Sequence, residues 1–136
     1  MKYVKPYLIF NAMVWLPWGL ICIFDLARIH DVIGVTSINP SGSTDIRVMY
    51  GGVQLAVGLM AALALYDGRY FKSFVHALAF MGCTMALSRT YGLVVDHSST
   101  FYTWGVLLYE ASAGVSAILW LKFLSRPSGD GSGGRR

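Results

Sequence analysis

Four polar side chains, Arg47, Gln54, Arg89 and Glu110, lie in stretches that are otherwise apolar. In such surroundings an arginine and a glutamate have few options. They can neutralise each other, hold a ligand by charge and hydrogen bonds, or exchange a proton. Arg89, in "MALSRTYG", ends an apolar run that begins at Tyr70 and contains no acid. It either reaches outward to lipid head groups along its own flexible stem or meets an acid on a neighbouring helix. Glu110 is the costlier residue. A charged, unpaired glutamate near mid-bilayer costs roughly 2.5 kcal/mol or more, so it must pair with an arginine or take up a proton. Three readings compete for it: a structural Glu–Arg pair between helices, a ligand or proton site, and a contact between subunits. Arg47 at a helix start reads as an interfacial anchor or a ligand contact, and Gln54 as an interhelical hydrogen-bond partner or a ligand contact.

The remaining candidates are weaker. Asp96 and His97 are adjacent in a short loop and read as solvated turn residues. His76 lies one helical turn from Lys72 near an interface. Cys22 and Cys83 sit in apolar segments with no metal or redox spacing and read as small buried hydrophobes. Tyr70, Tyr91, Tyr102, Trp104 and Trp120 fit aromatic belts at the membrane faces. No nucleophile elbow, zinc motif, P-loop or haem spacing is present, so no catalytic residue, metal or cofactor is assigned.

The elements that must position these residues follow from composition. Of 136 residues, 55% are hydrophobic and only 13% charged, against about 25% charged in a soluble domain. Mean hydropathy is +0.54. The charges are segregated, and four stretches reach the roughly 20 apolar residues that a span requires. The sequence therefore predicts an all-α transmembrane four-helix bundle in residues 1–124. Its spans run at about 6–27, 45–66, 70–94 and 100–124, and 125–136 form a flexible Gly/Ser-rich cytoplasmic tail. Pro17 predicts a kink in the first span. "DVIGVTSI" is a short strand or an interfacial helix, "NPSGST" a turn, and Ser43-Thr44-Asp45 the cap of the second span.

The formal charge of +4 does not indicate nucleic-acid binding, because the basic residues form no stripe or motif. They mark topology instead. Lys2, Lys5, Arg69, Lys72, Lys122, Arg126, Arg135 and Arg136 fall where four antiparallel spans put one common side. That side is expected to be cytoplasmic, with both termini on it. Arg47, Arg89 and Asp25 then lie in the outer half, and Glu110 about 15 Å below the start of span four, close to mid-membrane.

Helical spacing groups Arg47, Tyr50, Gly51, Gln54 and Gly58 on one side of span two. It groups Ala79, Gly82, Ala86 and Arg89 on span three, and Thr103, Glu110, Ala113, Gly114 and Ala117 on span four. Small residues let membrane helices approach closely. These stripes should face inward and gather Arg47, Gln54, Arg89 and Glu110 around one polar pocket.

The segments "DIRVMYGGVQLAVGLM" and "ALSRTYGLVVDHSS", with a mid-helix glutamate in the last span, resemble an uncharacterised family of bacterial four-span membrane proteins, domain of unknown function 4345. The likeness covers Asp45 to Leu124, extends more weakly into span one, and is distantly similar to DoxX-like proteins. It implies a compact four-helix membrane domain and brings no activity, substrate or cofactor. The expectation is an inner-membrane protein whose partners are the lipid bilayer and a lipid or quinone-like ligand held by Glu110, Arg89, Arg47 and Gln54. Two alternatives are an accessory subunit of a larger membrane complex and an isomerase or reductase on a lipid-soluble substrate.

Overall fold

The structure is a computed structural model that describes residues 3–97 and 100–125. Lys2, Arg126 and the rest of the C-terminal tail lie outside the described residues. Among those described, every regular element is helical. Helix α1 runs Val4–Phe24 and short α2 runs Leu26–Ile33. Helix α3, Pro40–Ile46, passes through a π-helical segment, Arg47–Gly52, into α4, Val53–Tyr66. A 3₁₀ turn, Gly68–Tyr70, leads to α5, Phe71–Val95, and α6 is Phe101–Leu124. The protein is thus all-α, with four helices long and apolar enough to cross a membrane: Val4–Phe24, Pro40–Tyr66, Gly68–Val95 and Phe101–Leu124.

Helix ends depart from the sequence reading for local reasons. Span one stops at Phe24 rather than Ala27, and α1 runs unbroken across Pro17. Asp25 lies just past the end of α1, between it and α2. Its carboxylate caps α2, accepting from the Arg28 backbone N–H at 3.1 Å and from Arg28 Nε at 3.2 Å. "DVIGVTSI" forms no strand, for its first residues complete the amphipathic α2, which buries Ile29 and exposes Arg28, His30 and Asp31. Gly34 ends α2 at φ 80°, a left-handed conformation that glycine adopts without strain. "NPSGST" is a helix start, not a turn. The Asn39 side chain accepts from Gly42 N at 2.8 Å and Pro40 occupies the first helical position, so the cap lies upstream of Ser43.

The cap on α2 gives a pH prediction. The Arg28 backbone N–H, then its side chain, hold the Asp25 carboxyl below the usual carboxylate range. A depressed carboxyl contributes its stabilisation above the ordinary aspartate value of about 4 and loses it as pH falls through the lowered value. Asp25→Ala should lower the protection of the α2 amides against hydrogen exchange at neutral pH, and acid should lower that protection, relative to the intrinsic exchange rate, in the wild type. Protection unchanged by either would remove Asp25 as the cap.

Packing divides the bundle into two tight pairs. In the first, α1 meets the second span: a Cβ built on Gly19 would lie 2.6 Å from Leu55 N, and one on Gly58 would lie 2.8 Å from Leu16 N. In the second, α5 meets α6, where a Cβ on Gly82 would lie 2.6 Å from Gly114 N. Backbone approaches this close require glycine and convert directly into van der Waals contact, the main attraction between helices in lipid. The two pairs join firmly only toward the chain termini. There Leu8, Phe74, Val75 and Leu78 are buried. Tyr7, Phe71, Trp120 and Phe123 form a chain of ring contacts beside them. Toward α2 the pairs stand apart around a cavity.

Candidate functional site

Glu110 lies about two and a half turns into α6, on its buried face. All five residues that spacing grouped there, Thr103, Glu110, Ala113, Gly114 and Ala117, are buried. The Gly82–Gly114 contact brings α5 close enough for Arg89 to reach across. Arg89 Nε donates to Glu110 Oε2 at 2.8 Å and Nη2 donates to Oε1 at 2.7 Å. This two-point bond matches the flat guanidinium to the flat carboxylate. The partners are unequally placed: the Glu110 side chain is 2% exposed and that of Arg89 26%. Arg89 therefore does not snorkel away. It turns inward and neutralises the glutamate.

The pair sits in the wall of a cavity of about 320 Å³. Helix α1 contributes Val14, Trp15 and Trp18; the second span contributes Tyr50 and Gln54. Met85 and Val106 add apolar surface, and Tyr102 and Tyr109 line the α6 side. A more open hollow of about 470 Å³ lies next to it toward the α5–α6 connection, where Asp96, Thr100 and Thr103 form part of the wall. Val32 of α2, Arg89 and Tyr102 line both spaces and so form the boundary between them.

Two polar atoms here are unpaired. Among the described residues, Trp15 Nε1 and the Tyr109 hydroxyl are buried without a hydrogen-bond partner. Trp15 is only 5% exposed, and its ring lies 5.7 Å from that of Tyr109, centre to centre. An unsatisfied buried donor costs about 1–3 kcal/mol. Both atoms belong to residues that line the cavity.

Of the four residues singled out from sequence, Arg89, Glu110 and Gln54 reach this cavity. Arg47 does not. Its Nη1 donates to the Ile23 backbone carbonyl in the last turn of α1, where helix carbonyls lack internal partners and the dipole favours a cation. The side assigned to span two also splits. Gly51 and Gly58 pack on Ile23 and Leu16 of α1, whereas Tyr50 and Gln54 face the cavity. The π-helical segment adds a residue to the turn just before Gln54 and alters the spacing on which that grouping relied. Tyr102 is a wall of the cavity rather than only a belt residue. Trp15, Trp18 and Tyr109 were not singled out by sequence. The available signal on α1 was Asn11, one helical turn before Trp15 and likewise buried.

Arg47→Met should therefore lower stability by about 1–2 kcal/mol, the loss of one charged hydrogen bond, while leaving occupancy of the cavity unchanged. Denaturant titration alongside mass analysis of bound lipophiles checks both halves; lost occupancy with stability intact would return Arg47 to the site.

The family model described as "Domain of unknown function (DUF4345)" matches residues 4–121. No curated protein and no solved structure matches the chain at a significant level. The match takes in the first three spans and most of the fourth, so the first span, with Trp15 and Trp18, is part of the same domain as Arg89 and Glu110. The chain belongs to the DUF4345 family.

Proposed function

We propose that the protein is a multi-pass protein of the bacterial inner membrane that holds a small amphipathic or lipid-like molecule in the outer half of its bundle. Charge supports the orientation. Eight of the eleven Lys and Arg residues belong to the side that carries the termini and the turn at Arg69, which favours the cytoplasm there. The cavity then opens toward the outer face.

The observation that carries the binding reading is the unpaired indole N–H of Trp15, buried beside a cavity that also presents the Arg89–Glu110 pair and Gln54. A volume of about 320 Å³ suits a head group, since ligand pockets start at roughly 300 Å³. Binding fits better than reaction. Both Glu110 oxygens are engaged by one arginine, which leaves the carboxylate poorly placed to move a proton to or from a substrate.

The test is native mass spectrometry of the protein released from lipid nanodiscs. The wild type should carry a bound lipophile that Val106→Trp, which fills the cavity, loses while remaining folded. A bare wild-type mass, or a lipophile kept equally by both proteins, would overturn the reading. A second protein released at fixed ratio would replace it with a subunit of a complex.

A further inference from the structure

The same cavity specifies the chemistry of its occupant, an inference that rests on the binding reading above. We infer that the occupant has an uncharged head group carrying a hydrogen-bond-accepting carbonyl oxygen, and that Trp15 Nε1 is the donor that selects it.

The first ground is charge. The inner cavity has one full cation and one full anion in its walls, and they are bonded to each other at 2.7 and 2.8 Å. An anionic head group would meet a guanidinium already neutralised by Glu110, and taking over its two bonded N–H groups would strand a carboxylate that is 2% exposed. A buried charge deprived of its partner is strongly unfavourable. The neighbouring hollow gives an anion no better welcome, for it adds the Asp96 carboxylate to the same arginine. A cationic head group would meet Arg89 and would bring no acceptor to the indole.

The second ground is hydrogen-bond polarity. An indole N–H can only donate, so whatever satisfies Trp15 must accept. A hydroxyl of the Tyr109 type donates or accepts, as does the Gln54 amide; neither narrows the choice further. Trp15 does. The third ground is surface. Trp18, Tyr50 and Tyr102 add aromatic faces, which suit a flat carbonyl-bearing group better than a strongly hydrated one. An ester carbonyl of a glycerolipid and a ketone on a ring share this chemistry, and they are separated by experiment.

The full chain in detergent is titrated with three probes: para-octylacetophenone, monodecanoylglycerol and para-octylbenzoate. The readout is the Trp15 indole N–H resonance, assigned by its loss in Trp15→Phe. Should that variant not fold, assignment is by elimination with Phe variants of Trp18, Trp104 and Trp120. At least one neutral probe should move the Trp15 resonance downfield and saturably, the ketone indicating a ring compound and the monoglyceride a bilayer lipid. The benzoate, matched to the ketone in size, should leave it in place. Trp15→Phe should weaken the neutral probe about tenfold, the loss of one buried hydrogen bond at 1.4 kcal/mol per decade. If the benzoate binds and the neutral probes do not, the cavity reading survives and the uncharged head group is wrong. If a neutral probe binds but leaves Trp15 unmoved, the donor assignment is wrong. If no probe binds and no lipophile is released from the nanodisc protein, both inferences fall together.

Discussion

Arg89→Leu is expected to destabilise the bundle by about 3 kcal/mol, because it leaves Glu110 buried without its counter-charge. The reverse substitution should cost much less. Glu110→Leu strands Arg89, but that side chain is already 26% exposed and stands at the boundary with the outer hollow. Its long stem can carry the guanidinium outward to water or head groups. A loss on the order of 1 kcal/mol is expected, as for other intramembrane polar contacts. The double variant should be more stable than Arg89→Leu alone, since removing both partners of a buried pair is far milder than removing one. Unfolding in mixed detergent micelles measures the full cycle. Equal single losses that simply add in the double variant would show that the two residues do not act as a pair.

Gly82→Ala should be among the most damaging one-carbon changes at the described residues, alongside Gly19→Ala in the other helix pair. The added Cβ would meet Gly114 N at 2.6 Å, and the Glu110 carbonyl oxygen and Gly114 Cα both at 2.9 Å. All three are backbone atoms, so no side chain can move aside; α5 and α6 must separate. Overpacking of this kind costs about 1–3 kcal/mol. Because the struck carbonyl belongs to Glu110 itself, separation also loosens the grip of Arg89, and the cavity should lose its ligand with the stability. Gly105→Ala, on the facing helix α6, is the internal control. Nothing lies within 4 Å of its added Cβ, so alanine should be neutral or favourable by up to about 1 kcal/mol through helix propensity. Unfolding midpoints of the two variants, measured side by side, test the packing account. Indistinguishable midpoints would mean that the glycine contact does not hold α5 against α6.

What sequence could reveal here follows from which signals a membrane helix retains. Span number was legible because hydrophobic length is a one-dimensional property. The inward face of α6 was legible because small residues recur at helical spacing around one glutamate, and those five residues are the buried ones. The Arg89–Glu110 contact followed from cost: a mid-span acid and an arginine within side-chain reach on the neighbouring helix have strong reason to meet. The inward face of α1 was not legible. Trp15 and Trp18 stand among Leu, Ile, Val and Phe, and the one polar mark on their helix, Asn11 a turn before Trp15, is a single residue. Arg47 misled because its position at the start of span two suited either a pocket or an interface; the carbonyl it caps belongs to another helix. Asp25 misled because a short amphipathic helix follows it, and its role as a cap depends on where α1 stops.

Together these residues support the proposal that two glycine-clasped helix pairs hold a cavity open and that the Arg89–Glu110 pair and Trp15 equip it for an uncharged amphiphile. The most direct measurement is a density map of the protein in lipid nanodiscs at a resolution that shows side chains. The account predicts non-protein density in the cavity, with an atom in hydrogen-bonding reach of Trp15 Nε1 and Arg89 still forked onto Glu110. A cavity closed by repacked side chains, one filled by a partner helix, or a ligand inserted between Arg89 and Glu110 would contradict it.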